Sequence, residues 1–507
     1  MPLRRHALAL LLALAASSAA SAAISVASDT PLNADAQRLV DSVAEAIMQS
    51  DRGDTLGAMI VFERVFADPA LSQVPADARQ DAWVAAGMTA LKSGQQADAE
   101  RYLRTALAAR DDDPRAVYLL GRLQVQQQKP RDAALSLARS LQLTDRFNDD
   151  IDVDLIGYLL HQLKDDPATR RTLLQALFDR KWQNKGTEPA RLWRSLATLQ
   201  AEAGEQDRLA DTIARIDDPV QLIALRSDKR FDRVVDRASP RFDPALAARR
   251  HTDALRVAAL LRPEEGVLPV RMADALLMTG DNAAVIAMTD SIAASVQAQD
   301  PTAQRTYEGA DNLAWLLSYR AGAQRRLGEM DAALATQTQA LRFHDSDAPN
   351  TVQHLLLAGW QMSLQRPQQG LDTLAVLPAE LGFWEFGRHW LRLIAFRQLD
   401  DRTQGDAARD WLLGHPDDAD LILLDVLLEE NRMDEAAARL IAKLRAPEER
   451  GDALVSLQNY RTLPSLPGDA VRDQRWRQLK QRADVRAAVQ AVGRIERVDL
   501  FGSNPTR

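Results

Sequence analysis

Between Gln80 and Leu143 the sequence matches itself at an offset of 34 residues, and this offset restricts the fold more than any other feature of the chain. Gly87 pairs with Gly121, Ala99 with Ala133, Leu103 with Leu137 and Ala106 with Ser140. Within each unit the apolar residues recur at the spacing of an amphipathic helix, and Gly94 divides the first unit into two such stretches. A period of this length marks one helical hairpin, which cannot bury its apolar face alone and must stack on its neighbours. Small residues at 87, 99, 121 and 133 let helix backbones approach closely. The large Leu103 and Leu137 fill the gap that remains.

The residues Trp83-x2-Ala86-Gly87, then Ala99-x3-Leu103 and Ala106, closing near Pro114, resemble the tetratricopeptide repeat. Other segments fit the same unit less closely. Ala46, Gly53, Ala58 and Phe62 precede the doublet, with Pro69 after them. Gly157 with Leu173, Ala197 with Gly204 and Ile213, and Ala273 with Gly280 follow. Ala321, Gly328, Ala333 and Ala340 come next, then Ala358 with Leu374 and Pro378. Ala395, Ala407 and Trp411 form a further unit, and Ala436 with Leu440 closes the series. The resemblance implies an all-α, right-handed α-solenoid of antiparallel helical hairpins with irregular repeats. No segment alternates apolar and polar residues long enough for a sheet, so strands are expected to be absent or trivial.

At 507 residues the chain exceeds one compact core. Residues 1–23 read as a cleavable signal. Arg4 and Arg5 precede the apolar run Ala7–Ala16, and Ala20-Ser21-Ala22 is a small-residue cleavage site. The run is too short to span a bilayer, and no later segment is long and apolar enough to do so. A periplasmic protein without transmembrane segment is therefore expected, and the lack of cysteine excludes disulfides and thiol catalysis. Beyond the signal we expect a first array at 36–223 and a junction with a helical hairpin at 224–262, where "RSDKRFDRVVDRASPRFDP" breaks the rhythm. A second array at 263–446 and capping helices with a tail at 447–507 complete the chain, and Phe501 to Arg507 are expected to be frayed.

The formal net charge is −8, and cleavage after Ala22 removes Arg4 and Arg5 to give −8 − 2 = −10, which argues against nucleic acid as partner. Gly-Lys-Ser/Thr, Gly-x-Ser-x-Gly, His-Glu-x-x-His and Gly-x-Gly-x-x-Gly strings are absent, and neither an enzyme nor a cofactor is expected. Asp150, Asp152 and Asp154 open like a calcium loop, but Leu155 and His161 occupy the places that need Gly and Glu, so they read as acids at a helix N-terminus. Glu385 and His389 share a helix face without a further metal ligand at matching spacing, and read as an ion pair or hydrogen bond. The aromatic stretch Phe383–Phe396 reads as core, with a glycan or peptide surface as its alternative. The Arg-rich helix Asp469–Ile495 reads as a solvated cap.

In tetratricopeptide proteins the first helix of each hairpin lines a concave groove for a partner. Transferred by position, the resemblance implies Asp81, Val84, Met88, Leu91 and Lys92 in one unit and Arg115, Tyr118, Arg122, Val125 and Gln126 in the next. The Asn and Lys pattern of the carboxylate-clamp type is not met. The expected function is a non-catalytic periplasmic scaffold that binds a protein or peptide partner of the cell envelope. A role in outer-membrane or cell-wall assembly differs from it only in partner. The alternative is a polysaccharide-export helper or glycan-processing helical toroid, with Trp384, Trp390 and Trp411 as candidate platforms. The sequence leaves the partner and the oligomeric state open.

Overall fold

Turn chemistry sets the architecture. The computed structural model describes residues 32–184, 186–297, 310–343, 350–416 and 422–502, so the expected signal at 1–23 lies outside the described residues. These contain twenty-five α-helices and one pair of short strands, and none of the helices is long and apolar enough to cross a membrane. The chain divides into residues Met1–Arg215 and Ile216–Arg507, so the division falls ahead of the 223/224 boundary read from sequence.

Unit 1 stacks five hairpins: α1 (Ala34–Asp51) with α2 (Thr55–Ala67), α3 (Ala76–Lys92) with α4 (Gln96–Ala109), α5 (Pro114–Gln126) with α6 (Pro130–Leu143), α7 (Val153–Gln162) with α8 (Pro167–Asp179), and α9 (Ala190–Ala203) with α10 (Gln206–Ala214). Each of the first three packs on the next, and the first helices of neighbours touch directly, α1 on α3 and α3 on α5. Their shared core runs from Ala36 to Leu123 and includes the fully buried Phe62, Tyr102 and Leu103. This is an all-α helical-repeat solenoid.

Unit 2 opens with α11 (Pro219–Ser227) and α12 (Pro244–Leu261) and continues with four hairpins: α13 (Val267–Thr279) with α14 (Asn282–Gln297), α15 (Ala310–Arg326) with α16 (Met330–Ala340), α17 (Thr351–Ser363) with α18 (Pro367–Ala375), and α19 (Glu385–Gln398) with α20 (Arg402–Gly414). A fifth joins α21 (Leu423–Glu429) to α22 (Met433–Arg445). Then come α23 (Arg450–Leu457), strand β1 (Asn459–Arg461), α24 (Ala470–Gln481), α25 (Ala483–Val492) and strand β2 (Arg497–Phe501).

Nine of these hairpins turn the same way. One or two residues after the first helix the chain adopts a left-handed conformation: Gly53, Gly94, Gln128, Gly204, Gly280, Gly328, Gln365, Asp400 and Asn431. The next N–H then returns to the carbonyl five residues back, from Asp54 to Gln49 through Arg432 to Leu427, at 2.8–3.0 Å. This closure satisfies an otherwise orphaned helix-end carbonyl and launches the second helix antiparallel to the first. Counting from the turn gives the packing register. The residue seven before it is Ala46, Gly87, Gly121, Ala197, Ala273, Ala321 or Ala358 in seven hairpins. The residue five after it is small and buried at Ala58, Ala99, Ala133, Ala333, Gly370, Gly405 and Ala436. A methyl group added at Gly87 would lie 2.7 Å from Leu103, and one at Gly121 3.0 Å from Leu137, which is the close approach the repeat requires.

The structure corrects three sequence assignments. In the α19/α20 hairpin the paired positions are Leu393 and Gly405, two residues before Ala395 and Ala407, and Ala407 is exposed. Gly157 is exposed and meets nothing, while Ile156 beside it is fully buried. Phe501 is not frayed: it ends β2, packs against Gly280, and carries Arg326 and Arg461 over its ring at 4.4 and 4.6 Å.

The end of unit 2 returns to its beginning, while the Arg-rich region expected as one helix at 469–495 is two helices, α24 and α25, packed on α21 and α22. α23 packs on α11, and β1 pairs in parallel with β2, which lies against α12 and α13. Arg226 bonds Glu496 across 270 residues at 3.1 Å. Arg494 holds Asp232 with both terminal nitrogens, at 2.7 and 2.6 Å. Gly493 bridges Asp228, and a Cβ there would collide with the Ser227 carbonyl. The Arg226–Pro244 stretch, read from sequence as a junction, is the seat of this clasp.

Candidate partner-binding surfaces

On the first-helix face of unit 1 the chain's own contacts claim several of the implied groove positions. Asp113 is fully buried at the N-terminus of α5 and accepts from the backbone of Arg115 and Ala116 at 2.9 and 3.2 Å. Burial alone would raise its pKa. The Arg115 guanidinium and the two N–H groups outweigh that and hold it down at about 2. Arg115 reaches on to Asp81 of α3, so these two candidates form one ion pair linking neighbouring hairpins. Lys92 pairs at 3.1 Å with Asp51 of α1. Val84 and Leu91 are buried, whereas Met88, Arg122, Val125 and Gln126 are half-buried.

Tyr118 is covered. Phe147, from the loop between α6 and α7, stacks on it at 4.5 Å and 2°. Its hydroxyl and Arg122 Nη1 both donate to the Asp150 carbonyl at 3.4 Å. Trp182 fixes that loop by donating to the Asn148 and Ile151 carbonyls at 3.0 Å. Val84 and Tyr118 therefore serve packing, while Met88, Arg122 and Gln126 stay half-buried on the helices that the Asp81–Arg115 pair joins. The role of Phe147 and Asp150 was not read from sequence. The signal was one aromatic in a loop whose other apolar residue is Ile151.

The metal-like patterns have structural partners. Asp152 caps α7, accepting from Leu155 N–H at 2.7 Å. Among the described residues no three His, Asp or Glu side chains converge as a metal site. Glu385 is forked by Arg388, at 3.1 Å from its Nε, and stands 3.9 Å from His389. His389 stacks on Trp411 at 4.1 Å, and burial pushes its pKa down to about 4. The aromatic stretch divides: Phe386 is core, Trp390 half-buried, and Phe383 and Trp384 are exposed by 57% and 37%.

In unit 2 the first-helix face is occupied. The segment from Arg461 to Arg475 runs along the C-terminal ends of the first helices. Arg461 donates to the Thr279 carbonyl at 3.2 Å and Gly468 N–H to the Ser363 carbonyl at 2.8 Å. Arg472 lies 5.3 Å over the Trp390 ring, and Arg475 donates to the Leu428 and Glu429 carbonyls at 2.7 and 2.6 Å. Beside this segment lies an open cleft of about 570 Å³, bounded by Phe396, Arg397, Asp400, Glu430, Val471 and Arg475 among others.

No family model matches the sequence, and no curated protein matches it. One solved structure to which the chain is similar is described as "Structure of Naa15/Naa10 bound to HypK-THB". The match has 12% identity and a TM-score of 0.26, and covers 90% of this chain and 80% of that one.

Proposed function

We propose that the chain is a non-catalytic helical-repeat scaffold that binds a protein or peptide partner along the first-helix face of unit 1, in the periplasm. The observation that carries this reading is the direct stacking of α1, α3 and α5. The Asp81–Arg115 pair bridges α3 and α5, and Met88, Arg122 and Gln126 lie half-buried on these two helices. These residues offer apolar contact at Met88 and polar contact at the Asp81–Arg115 pair, Arg122 and Gln126, which suits an extended segment of mixed character. Export rests on Arg4, Arg5, Ala7–Ala16 and the small residues before Ala23.

A photo-crosslinking residue placed in turn at Met88, Gln126 and the exposed Arg104 of α4 tests the surface. The expected result is one shared adduct from Met88 and Gln126, none from Arg104, and loss of the adduct with Arg122→Glu. Adducts at all three positions, or none at the first two, would refute the reading. N-terminal sequencing of the protein from a periplasmic fraction should begin at Ala23. Finding an intact Met1 in the cytoplasm would refute export.

The glycan-handling alternative gains two observations, the closure of unit 2 on itself and the exposure of Trp384. It is weakened by the acids of the neighbouring cleft. Glu430 and Asp406 are both held by Arg397, at 2.7 Å each, and are not available as a catalytic pair.

A further inference from the structure

The segment across the first-helix face of unit 2 is docked by charge as well as by apolar burial of Leu479, with Trp476 packed beside it. Of the twelve residues of α24, only Arg472 and Leu479 are buried. Val471 is 57% exposed and faces the open cleft. A helix normally holds to its neighbours through an apolar stripe, and burying an arginine is stabilising only where its charge is matched. Here three carboxylates surround the guanidinium, although its Nε finds no hydrogen-bond partner among the described residues. Asp425 and Glu429 of α21 lie 3.9 and 3.5 Å from the Arg472 guanidinium, Asp469 lies 2.6 Å away, and Trp390 of α19 presents its ring beneath. One turn later Arg475 caps the carbonyl end of α21, where a cation is favoured by the helix dipole. The array therefore supplies two carboxylates, an aromatic face and a helix C-terminus, spaced to read two arginines three residues apart on one helix face. Glu429 is so enclosed that burial raises its pKa, and the guanidiniums of Arg472 and Arg475 act against that.

We propose that Trp390, Asp425, Glu429 and the end of α21 form a recognition site for a helical segment carrying Arg-x-x-Arg, filled by α24 of the same chain and entered by a partner helix of that chemistry when α24 is displaced. The site lies within unit 2 and stands or falls separately from the unit 1 surface.

A fluorescent synthetic peptide spanning residues 467–482 is the probe, titrated against the full chain. The double variant Arg472→Ala, Arg475→Ala empties the site of its own guanidiniums. It should bind the peptide at least tenfold more tightly than the unmodified chain. A peptide lacking both arginines should not bind the double variant. Adding Asp425→Asn and Glu429→Gln to that variant should abolish binding of the intact peptide. Equal binding to variant and unmodified chain, no binding to the variant, or indifference to the peptide's arginines would each overturn the proposal. Hydrogen exchange on the unmodified chain guards against a misfolded variant. Amides of Ala470–Gln481 should exchange at least tenfold faster than those of α19. If they open only together with α19, the site is a fixed core and the proposal fails.

Discussion

Replacing Gly87 by alanine sets two effects of known sign against each other. Alanine in a helix interior is worth about 1 kcal/mol over glycine. The new methyl would stand 2.7 Å from both Cγ and Cδ2 of Leu103, a side chain with no exposure. Carbon atoms rest at roughly 3.5–4.0 Å, so the shortfall is about 1 Å, and overpacking of this kind costs about 1–3 kcal/mol. The net expectation for Gly87→Ala is a loss of about 1 kcal/mol. Gly121 meets Leu137 at 3.0 and 3.1 Å, so Gly121→Ala should be near neutral, within about 0.5 kcal/mol. Leu103→Ala alone should cost about 3 kcal/mol. In the Leu103→Ala background the methyl at 87 has room, and Gly87→Ala should become stabilising by about 1 kcal/mol, a coupling of about 2 kcal/mol. Hydrogen exchange of α3 and α4 amides reads this hairpin without needing the whole chain to unfold as one. If Gly87→Ala stabilises with Leu103 in place, or if the two changes add, the close approach at this position does not carry the packing.

The left-handed turns give a graded test: Gln128→Gly should stabilise by about 0.5–1 kcal/mol and Asn431→Gly by less, because asparagine tolerates this conformation better than glutamine; equal or negative shifts in urea midpoint would contradict the turn assignment. Asp113→Ala removes a cap and one side of a buried ion pair and should cost about 2–4 kcal/mol in urea denaturation. Because Asp113 titrates at about 2 when folded and near 3.8 otherwise, its contribution is present above pH 4 and fades between pH 4 and 2, so the variant's stability deficit should shrink over that window. His389 runs the other way: unfolded it takes a proton near pH 6.5, folded only near 4, so stability should fall as pH drops from 6.5 to 4, by about 1–2 kcal/mol after allowing for partial exposure. His389→Gln should flatten that slope in a melting-temperature series.

The hairpin stack was legible because its cause is local. Gly87, Ala99 and Leu103 carry steric requirements that recur at a fixed interval, and Gly94 marks the turn between them. The register failed at Ala395 and Ala407 because alanine is common in this chain and falls on small-residue positions by coincidence, while Asp400, the residue that sets the register there, does not look like a left-handed turn. Four of the nine turns use Gln, Asp or Asn, so a search for glycine alone loses them. The surface at Asp81–Arg115 was legible in part, since the repeat places both on first helices. The cover over Tyr118 was not, because Phe147 lies in a loop with no periodicity to betray its target. The segment filling the unit 2 face was hidden for the same reason: Arg472 meets Trp390 and Asp425 through the tertiary course of the chain alone.

The clasp that closes unit 2 shows which force a non-periodic contact depends on. Its visible features are ionic: Arg226–Glu496, Arg237–Glu496 and Arg494–Asp232. Partly exposed pairs of this kind contribute about 0–1 kcal/mol each and weaken with salt. Beneath them Val498 and Leu500 of β2 are 6% and 2% exposed, packed with Ile223 of α11 and Ala248 of α12. Burying two such side chains is worth about 3–6 kcal/mol, so the apolar contact holds the closure and the ion pairs fix its register. One molar salt should leave β2 protected in hydrogen exchange, whereas Leu500→Asp, which puts an unmatched charge into that cluster, should expose β2 and free α23 from α11. If salt opened the clasp and Leu500→Asp did not, the ranking of forces would be reversed, and the charges around Arg494 would be the closure rather than its guide.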